Sequence, residues 1–208
     1  MNQISSMKKF LFFVPLVVLM SFSLNLSTLT KKERRFAKDH LKETRKELVK
    51  TVSGLSAAQL TFKADSTRWS VEDCLKHIAM SEIEIWKSVT DGLFQAPNPE
   101  KRAEIKITDD QIIKGLLDRS TKRQAAENLQ PKNTTYKSAA EALTSFKENR
   151  NKLINYIDDT QEDMRNHVIN FPLGLIDTYQ LVLLISAHSG RHTLQIKEIM
   201  ADPNFPKQ

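Results

Sequence analysis

Two histidines four residues apart are the most chemically informative feature of the sequence. His188 and His192 lie in the segment LVLLISAHSGRHTLQIKEIM, whose apolar residues recur at helical spacing. Residues at this separation lie on one face of a helix, so the two imidazoles are expected to point the same way and to bind one divalent cation. Ser189 follows His188 where a zinc protease of the HExxH type has glutamate, which excludes that motif.

A third histidine, His77, lies far upstream in WSVEDCLKHIAMSE, a second segment with helical spacing. If the two helices are neighbours in a bundle, His77 can complete a site of three neutral imidazoles. Such a site binds Zn²⁺, Ni²⁺ or Fe²⁺, leaves a coordination position open, and lowers the pKa of a bound water or thiol. We therefore predict one divalent metal ion bound by His77, His188 and His192; the ligand set does not choose among the three metals.

Two residues beside these histidines are weaker candidates for a role in substrate binding or in the outer layer of the site. Arg191 is one turn from His188 and can either steer an anionic group or form a surface ion pair. Gln195 is three residues after His192 and can either orient a ligand or water, or simply pack between helices.

Cys74 is the only cysteine, so no disulfide can form within the chain. It lies three residues before His77 and is interpreted as a small core residue, with a metal ligand or thiol nucleophile as the alternative. Glu84 can be a fourth ligand or a surface acid. His40 and His167 fall at a helix edge and in an irregular segment, and neither is assigned a role at the metal site.

Residues 1–29 are predicted to be a targeting segment. Basic Lys8 and Lys9 precede the apolar run FLFFVPLVVLMSF, and the small and polar SLNLST follows it. The run is shorter than the roughly 20 residues of a membrane-spanning helix, and no cleavage site of small residues is evident after it. A cleaved signal peptide and an uncleaved N-terminal anchor are therefore both open, and both predict that the domain at residues 30–208 is exported to a periplasmic or extracytoplasmic location.

The charge pattern argues against nucleic acid as a partner. The chain carries 31 basic and 25 acidic residues, a formal net charge of +6, and the two signs alternate in stretches such as HLKETRKELVK. This alternation is typical of solvated helix surfaces rather than of a basic stripe with interleaved aromatics. A small-molecule substrate is one candidate partner, and membrane contact is expected only through the N-terminal segment if that segment is uncleaved.

Four long amphipathic stretches predict an all-α fold, a four-helix bundle. The helices are expected at about residues 31–53, 70–92, from 138 onward, and 178–200. At the second start, Ser70 and Asp73 form a capping box and Trp69 is placed to pack against Cys74. The long crossover loop between the second and third helices contains a short helix after a capping box at Thr108. Residues 167–171 are a weak strand candidate.

Two motifs in this order resemble the DinB-like superfamily. They are Trp-Ser-x-x-x-Cys-Leu-x-His-Ile at residues 69–78 and His-x-x-Arg-His-x-x-Gln-Ile at residues 188–196, and PLG and DPNFP flank the last helix. The resemblance spans about residues 31–200. It implies an up-down-down-up bundle that holds a divalent metal through His77, His188 and His192, and homodimers are common among the members. Those members include DNA-damage-inducible proteins and the bacillithiol and mycothiol S-transferases.

The predicted site leaves two hypotheses for function. The first is an exported metalloenzyme, either an S-transferase that adds a thiol to a small substrate or a hydrolase. The export signal argues against the thiol, because the related transferases work in the cytoplasm. The second is a non-catalytic binding or structural module in which the metal staples two helices; it is favoured by the absence of a recognisable general base or nucleophile apart from the metal.

Overall fold

The computed structural model describes residues 28–207, and six α-helices carry the fold in this part of the chain. They are α1 (Lys31–Val52), α2 (Ala57–Thr61), α3 (Val71–Phe94), α4 (Asp109–Leu117), α5 (Ala139–Asp159) and α6 (Thr178–Met200). Short 3₁₀ helices occupy Pro99–Glu104, Glu127–Leu129 and Pro131–Asn133, and an antiparallel hairpin pairs β1 (Val168–Phe171) with β2 (Gly174–Asp177). Most of the predicted targeting segment lies outside the described residues. None of the described helices has the length and apolar character needed to cross a membrane.

Side-chain caps define where the helices begin. Ser70 accepts a hydrogen bond from the backbone N–H of Asp73 at 3.0 Å, and Asp73 accepts one from the backbone N–H of Ser70 at 3.0 Å. Capping boxes of the same kind begin α4 at Thr108 and α6 at Asp177, and Ser138 caps α5. These contacts satisfy backbone donors that the first helical turn leaves free, so the predicted helix starts are confirmed to within a residue.

The bundle consists of α1, α3, α5 and α6, and each of α1 and α3 packs against both α5 and α6. Arg34, near the start of α1, donates to carbonyl oxygens at the end of α5, so these two helices are antiparallel. Glu47 and Lys197 pair the late parts of α1 and α6, which are parallel. The end of α3 at Gly92 meets the start of α6 at Thr178. These directions confirm the up-down-down-up arrangement.

The arrangement explains the long connection between α3 and α5. Both helices run downward, and α3 has 24 residues, so the chain must travel back by about 36 Å before α5 can begin. Residues 95–138 make this return. We call them the crossover, and they contain α4, which packs against α6 through the buried Ile112, Ile113 and Leu116. The predicted crossover with a short helix is thereby confirmed.

The sequence predicts only the first strand of the hairpin that precedes α6. The weak strand candidate at residues 167–171 is β1, and the residues that follow it turn back and form β2, for which the sequence shows no strand pattern. Gly174 makes the turn with φ of +100°, a conformation that side chains other than glycine rarely adopt. The hairpin ends directly in Asp177, the cap of α6, and so sets the direction of the helix that carries two of the histidines.

Apolar residues fill the bundle in two clusters. The larger one surrounds the first half of α6, where Leu181–Ile185 are all buried, and the smaller one surrounds the start of α3 with Phe146 and Ile196. The buried Arg150 contacts both clusters, since it donates to the Leu41 carbonyl in one and lies over the Phe146 ring in the other. The three candidate histidines are at the α3–α6 contact near the smaller cluster.

Candidate metal centre

The antiparallel packing of α3 against α6 brings the three predicted histidines together. His77 projects from the second turn of α3, and His188 and His192 project from successive turns of α6. One ligand nitrogen from each ring lies within 4.8 Å of the others. The Nε2 atoms of His77 and His188 are 3.3 Å apart. Residues separated by 111 positions in the chain thus form one cluster.

The spacing of His77 and His188 fits a tetrahedral divalent ion. Two nitrogens that each bind a zinc ion at about 2.0–2.1 Å in tetrahedral geometry are roughly 3.3 Å apart. The separation of the His77 and His188 Nε2 atoms has this value. All three donors are imidazole nitrogens, which suit Zn²⁺, Ni²⁺ and Fe²⁺, so the residues present are those that such an ion requires.

Burial favours the neutral form of all three rings. His77 and His192 are 3% and 8% exposed, and His188 is half-buried. Desolvation lowers the pKa of each ring, to about 3 for His188 and well below the ordinary value for His192, because the charged form is disfavoured away from water. The His77 ring and the guanidinium groups of Arg191 and Arg150 contribute to the lowered pKa of His188. Each imidazole therefore has a nitrogen lone pair available for a metal.

Hydrogen bonds to Nδ1 orient two of the rings. Nδ1 of His77 is 2.8 Å from the carbonyl oxygen of Leu129, which can only accept, so this nitrogen carries the proton and Nε2 keeps the lone pair. Nδ1 of His192 is 2.9 Å from Oε1 of Gln195. Partners of this kind on the second nitrogen are typical of metal-binding histidines. Leu129 belongs to the crossover, and no sequence pattern identified it.

Two further residues surround the cluster. Trp69 stacks on the ring of His192 with centroids 5.8 Å apart and lies 4.9 Å from the centroid of His77. The hydroxyl of Ser81 is fully buried and lies 3.4 Å from Nε2 of His77. The sequence predicts only a packing role for Trp69 at the start of α3, and its position directly before the cap is the signal that could have placed it near His77. Ser81 follows His77 by one helical turn.

The two weaker candidates have different positions. Gln195 contacts His192, as one of its two interpretations requires. Arg191 is buried, and its guanidinium donates to the backbone carbonyl oxygens of Leu116, Asp118 and Thr121. These contacts attach the crossover to α6. The surface ion pair is therefore not observed, because Arg191 is buried and its described partners are carbonyl groups; its role toward an anionic substrate stays a prediction.

The remaining candidates lie apart from the cluster. Cys74 is fully buried among apolar residues, which raises the pKa of its thiol and makes it a core residue rather than a nucleophile. Glu84 is exposed beside Lys87. His40 bonds to the hydroxyl of Ser186, and His167 to the carbonyl of Gly92. Among the described residues, the cluster of potential ligands comprises the three histidines alone.

Comparison with known proteins agrees with this fold and family. A solved structure of YfiT from Bacillus subtilis, described as a probable metal-dependent hydrolase with an unusual four-helix bundle topology, superposes with a TM-score of 0.56. The two chains are 16% identical, and the match covers 84% of this chain and 89% of YfiT, so it establishes a shared fold. No curated protein sequence matches significantly. The sequence model of the DinB superfamily matches residues 40–196, and the chain therefore belongs to that superfamily.

Proposed function

We propose that this protein is an exported metalloenzyme that holds one divalent ion through His77, His188 and His192 and acts on a small substrate. The single observation that supports this most directly is the convergence of three ligand nitrogens within 4.8 Å of one another. The description of YfiT as a probable metal-dependent hydrolase belongs to that protein, and it makes the same chemistry a reasonable first hypothesis here.

The chain contributes binding, orientation and partial exclusion of water. Three protein ligands leave one position of a tetrahedral ion for a water or substrate atom, and a bound divalent ion lowers the pKa of a water or thiol there. Trp69 stacks on the His192 ring and packs at a tilt against the His77 ring, whereas His188 retains partial exposure. We infer that the substrate approaches from the His188 side.

Hydrolysis is the reaction we favour over thiol transfer. Cys74 is buried away from the histidines, so the protein offers no thiol of its own among the described residues at the site. Water is available in every compartment, whereas a transferase in an exported location needs a low-molecular-weight thiol to be supplied there. Thiol transfer stays the second reaction to be tested.

Metal content and turnover test the proposal together. The full chain is purified and analysed for bound Zn, Ni and Fe beside H192A, the triple variant H77A/H188A/H192A, and H40Q, a control that alters a histidine outside the cluster. We expect about one ion per chain in the native protein and H40Q, and loss of the ion in the triple variant. Native stoichiometry in the triple variant would refute the site.

Activity of the metal-loaded protein is measured on ester and amide substrates, and on electrophiles with several thiols. We expect turnover in the native protein and H40Q and a large loss in H192A. Equal rates in the native protein and H192A would contradict a role of the metal in catalysis.

The alternative is a module in which the metal staples α3 to α6 without catalysis, and it is supported by the origin of the ligands from two different helices. Removing the metal distinguishes the two. If removal of the metal lowers the melting temperature strongly, and the metal-loaded protein turns over no substrate, the structural role is favoured. An intact fold with lost turnover favours the enzyme.

Export through residues 1–29 is part of the proposal. Cell fractionation with mass spectrometry of the recovered chain tests it, because a cleaved signal and a retained anchor give different masses. Recovery of the intact chain in the cytoplasmic fraction alone would overturn it. Sedimentation of the purified chain tests the homodimer that is common in the family.

A further inference from the structure

A chain of polar contacts runs from His192 to the crossover. Oε1 of Gln195 is 2.9 Å from Nδ1 of His192 and 3.4 Å from Nη1 of Arg119. Arg119 in turn donates from Nε and Nη2 to the two carboxylate oxygens of Glu198, at 2.9 and 2.6 Å. Arg119 follows α4 by two residues, so these contacts connect the crossover to the metal-binding face of α6.

The orientation of the Gln195 amide decides which nitrogen of His192 is free. An amide has an acceptor oxygen at one end and a donor nitrogen at the other. With the oxygen toward His192, Nδ1 must donate, and Nε2 keeps the lone pair that a metal needs. With the amide reversed, Nδ1 must accept, so the ring proton moves to Nε2 and blocks coordination through that atom.

Arg119 selects between these two orientations. A guanidinium group has donors only, so a reversed amide would place its own NH₂ group against Nη1. The oxygen-facing orientation instead gives a charge-assisted contact. The ion pair with Glu198 holds the guanidinium in place, and the Arg119 side chain is only 24% exposed.

We propose that Arg119 is a positioning residue for the metal centre: through Gln195 it fixes the tautomer of His192 in which Nε2 can bind the ion. The functional meaning of this role rests on the proposed metal site. The tautomer itself is a property of the metal-free chain and can be measured whether or not metal binds.

The test uses long-range ¹H–¹⁵N correlation spectra of the histidine rings in the metal-free full chain, with His192 assigned by comparison with H192Q. We expect the native ring to carry its proton on Nδ1 and R119A to show a mixture or the opposite tautomer. In parallel, Zn²⁺ affinity is expected to fall about 10-fold or more in R119A, a loss typical of disturbed outer partners.

Two variants separate positioning from a general effect. R123A removes a positive charge from the same segment, where Arg123 donates to the carbonyl of Gly115, and should leave both tautomer and affinity unchanged. R119A/Q195E should restore the native tautomer, because a carboxylate has no donor end and accepts from Nδ1 in either orientation.

These experiments distinguish a failure of the role of Arg119 from a failure of the proposed metal-dependent function. A native tautomer in R119A, an equal effect of R123A, or no recovery in R119A/Q195E would overturn the role of Arg119 even if the native protein binds metal. If the tautomer changes as expected but the native chain binds no metal, the proposed function fails and the positioning of His192 by Arg119 stands.

Discussion

Arg150 and Glu82 form a bidentate ion pair at the centre of the bundle, with Nε–Oε1 and Nη2–Oε2 distances of 2.6 and 2.7 Å and side chains 0% and 2% exposed. The remaining donors of Arg150 reach the Leu41 carbonyl and the Thr44 hydroxyl on α1 and the Ser189 hydroxyl on α6. All five guanidinium donors are used, and the contacts join all four helices of the bundle.

Removing Arg150 alone is expected to be costly. R150L leaves the Glu82 carboxylate buried without its partner, and we expect the free energy of unfolding to fall by about 3–5 kcal/mol. R150L/E82L should recover part of this loss, since two apolar side chains need no partner. Urea unfolding of the purified variants measures both values.

The control removes an exposed pair. In K87A, the surface contact of Lys87 with Asp91 is lost, and we expect a far smaller change in the free energy of unfolding than in R150L, because water screens an exposed pair. A double variant less stable than R150L would mean that the ion pair is not the source of the effect.

Gly92 marks a close approach between α3 and α6. A Cβ atom at this position would lie 2.8 Å from Cγ2 of Thr178, so G92A is expected to lower the free energy of unfolding by about 1–3 kcal/mol through overpacking. The matched control is G115A in α4, where nothing lies within 4 Å, and alanine should stabilise the helix by roughly 0.5–1 kcal/mol. G92A/T178S should recover part of the stability because serine lacks the methyl group, while Cγ2 of Ile169 at 3.1 Å remains. No recovery at all would show that the contact with Thr178 is not the cause.

The burial of His40 predicts that the free energy of unfolding falls in mild acid. Burial lowers its pKa below the ordinary value of 6.5, and the charge of Arg150 adds to the effect. As the pH falls below about 6.5, the unfolded chain takes up a proton that the folded chain resists, so the free energy of unfolding decreases.

We expect H40Q to lose less stability than the native protein between pH 7 and pH 5, as measured by urea unfolding of metal-free samples. The slope should not vanish, because the pKa values of the three clustered histidines are lowered as well. Parallel pH profiles of the two proteins would show that the protonation of His40 is not linked to folding.

Trp69 should report metal binding directly. Its ring stacks on His192. The only other tryptophan, Trp86, lies further along α3 and packs against Tyr156 of α5. In W86F, Ni²⁺ is expected to quench the fluorescence of Trp69 strongly, because an open-shell ion beside an indole deactivates its excited state. Zn²⁺ has a filled d shell and serves as the control. In W69F, the emission of Trp86 should change little with either ion, and equal quenching in both variants would place the metal elsewhere.

The sequence predicts the helices well because their signals are local. Capping boxes at Ser70 and Thr108, together with apolar residues at helical spacing, place the starts of α3 and α4 without knowledge of the fold. The histidine pair on α6 is equally local. The meeting of His77 with this pair depends on helix packing, and the sequence supports it only on the assumption that the two helices are neighbours.

What the sequence misses depends on contacts between distant segments. Leu129 contacts His77 through its backbone carbonyl, and Arg119 contacts Gln195 through its guanidinium group. Both residues lie in parts of the crossover where the sequence has no helical periodicity that could place them near the site. β2 was missed because four residues around a glycine turn carry little alternation. Arg150 does have a local signal, since it occupies an apolar-stripe position of α5 between Phe146 and Leu153, where a charge requires a buried partner.

The separation of 111 residues between His77 and His188 bears on when the protein can acquire its ion. A nascent chain that has completed α3 and α5 contains only one of the three imidazoles, that of His77. The other two belong to α6, the last helix to be synthesised. The full set exists only after the last helix has been synthesised and docked against α3. We therefore expect metal to be loaded after translation, in whichever compartment the chain reaches its native state, and the ion held by the mature protein records the supply in that compartment.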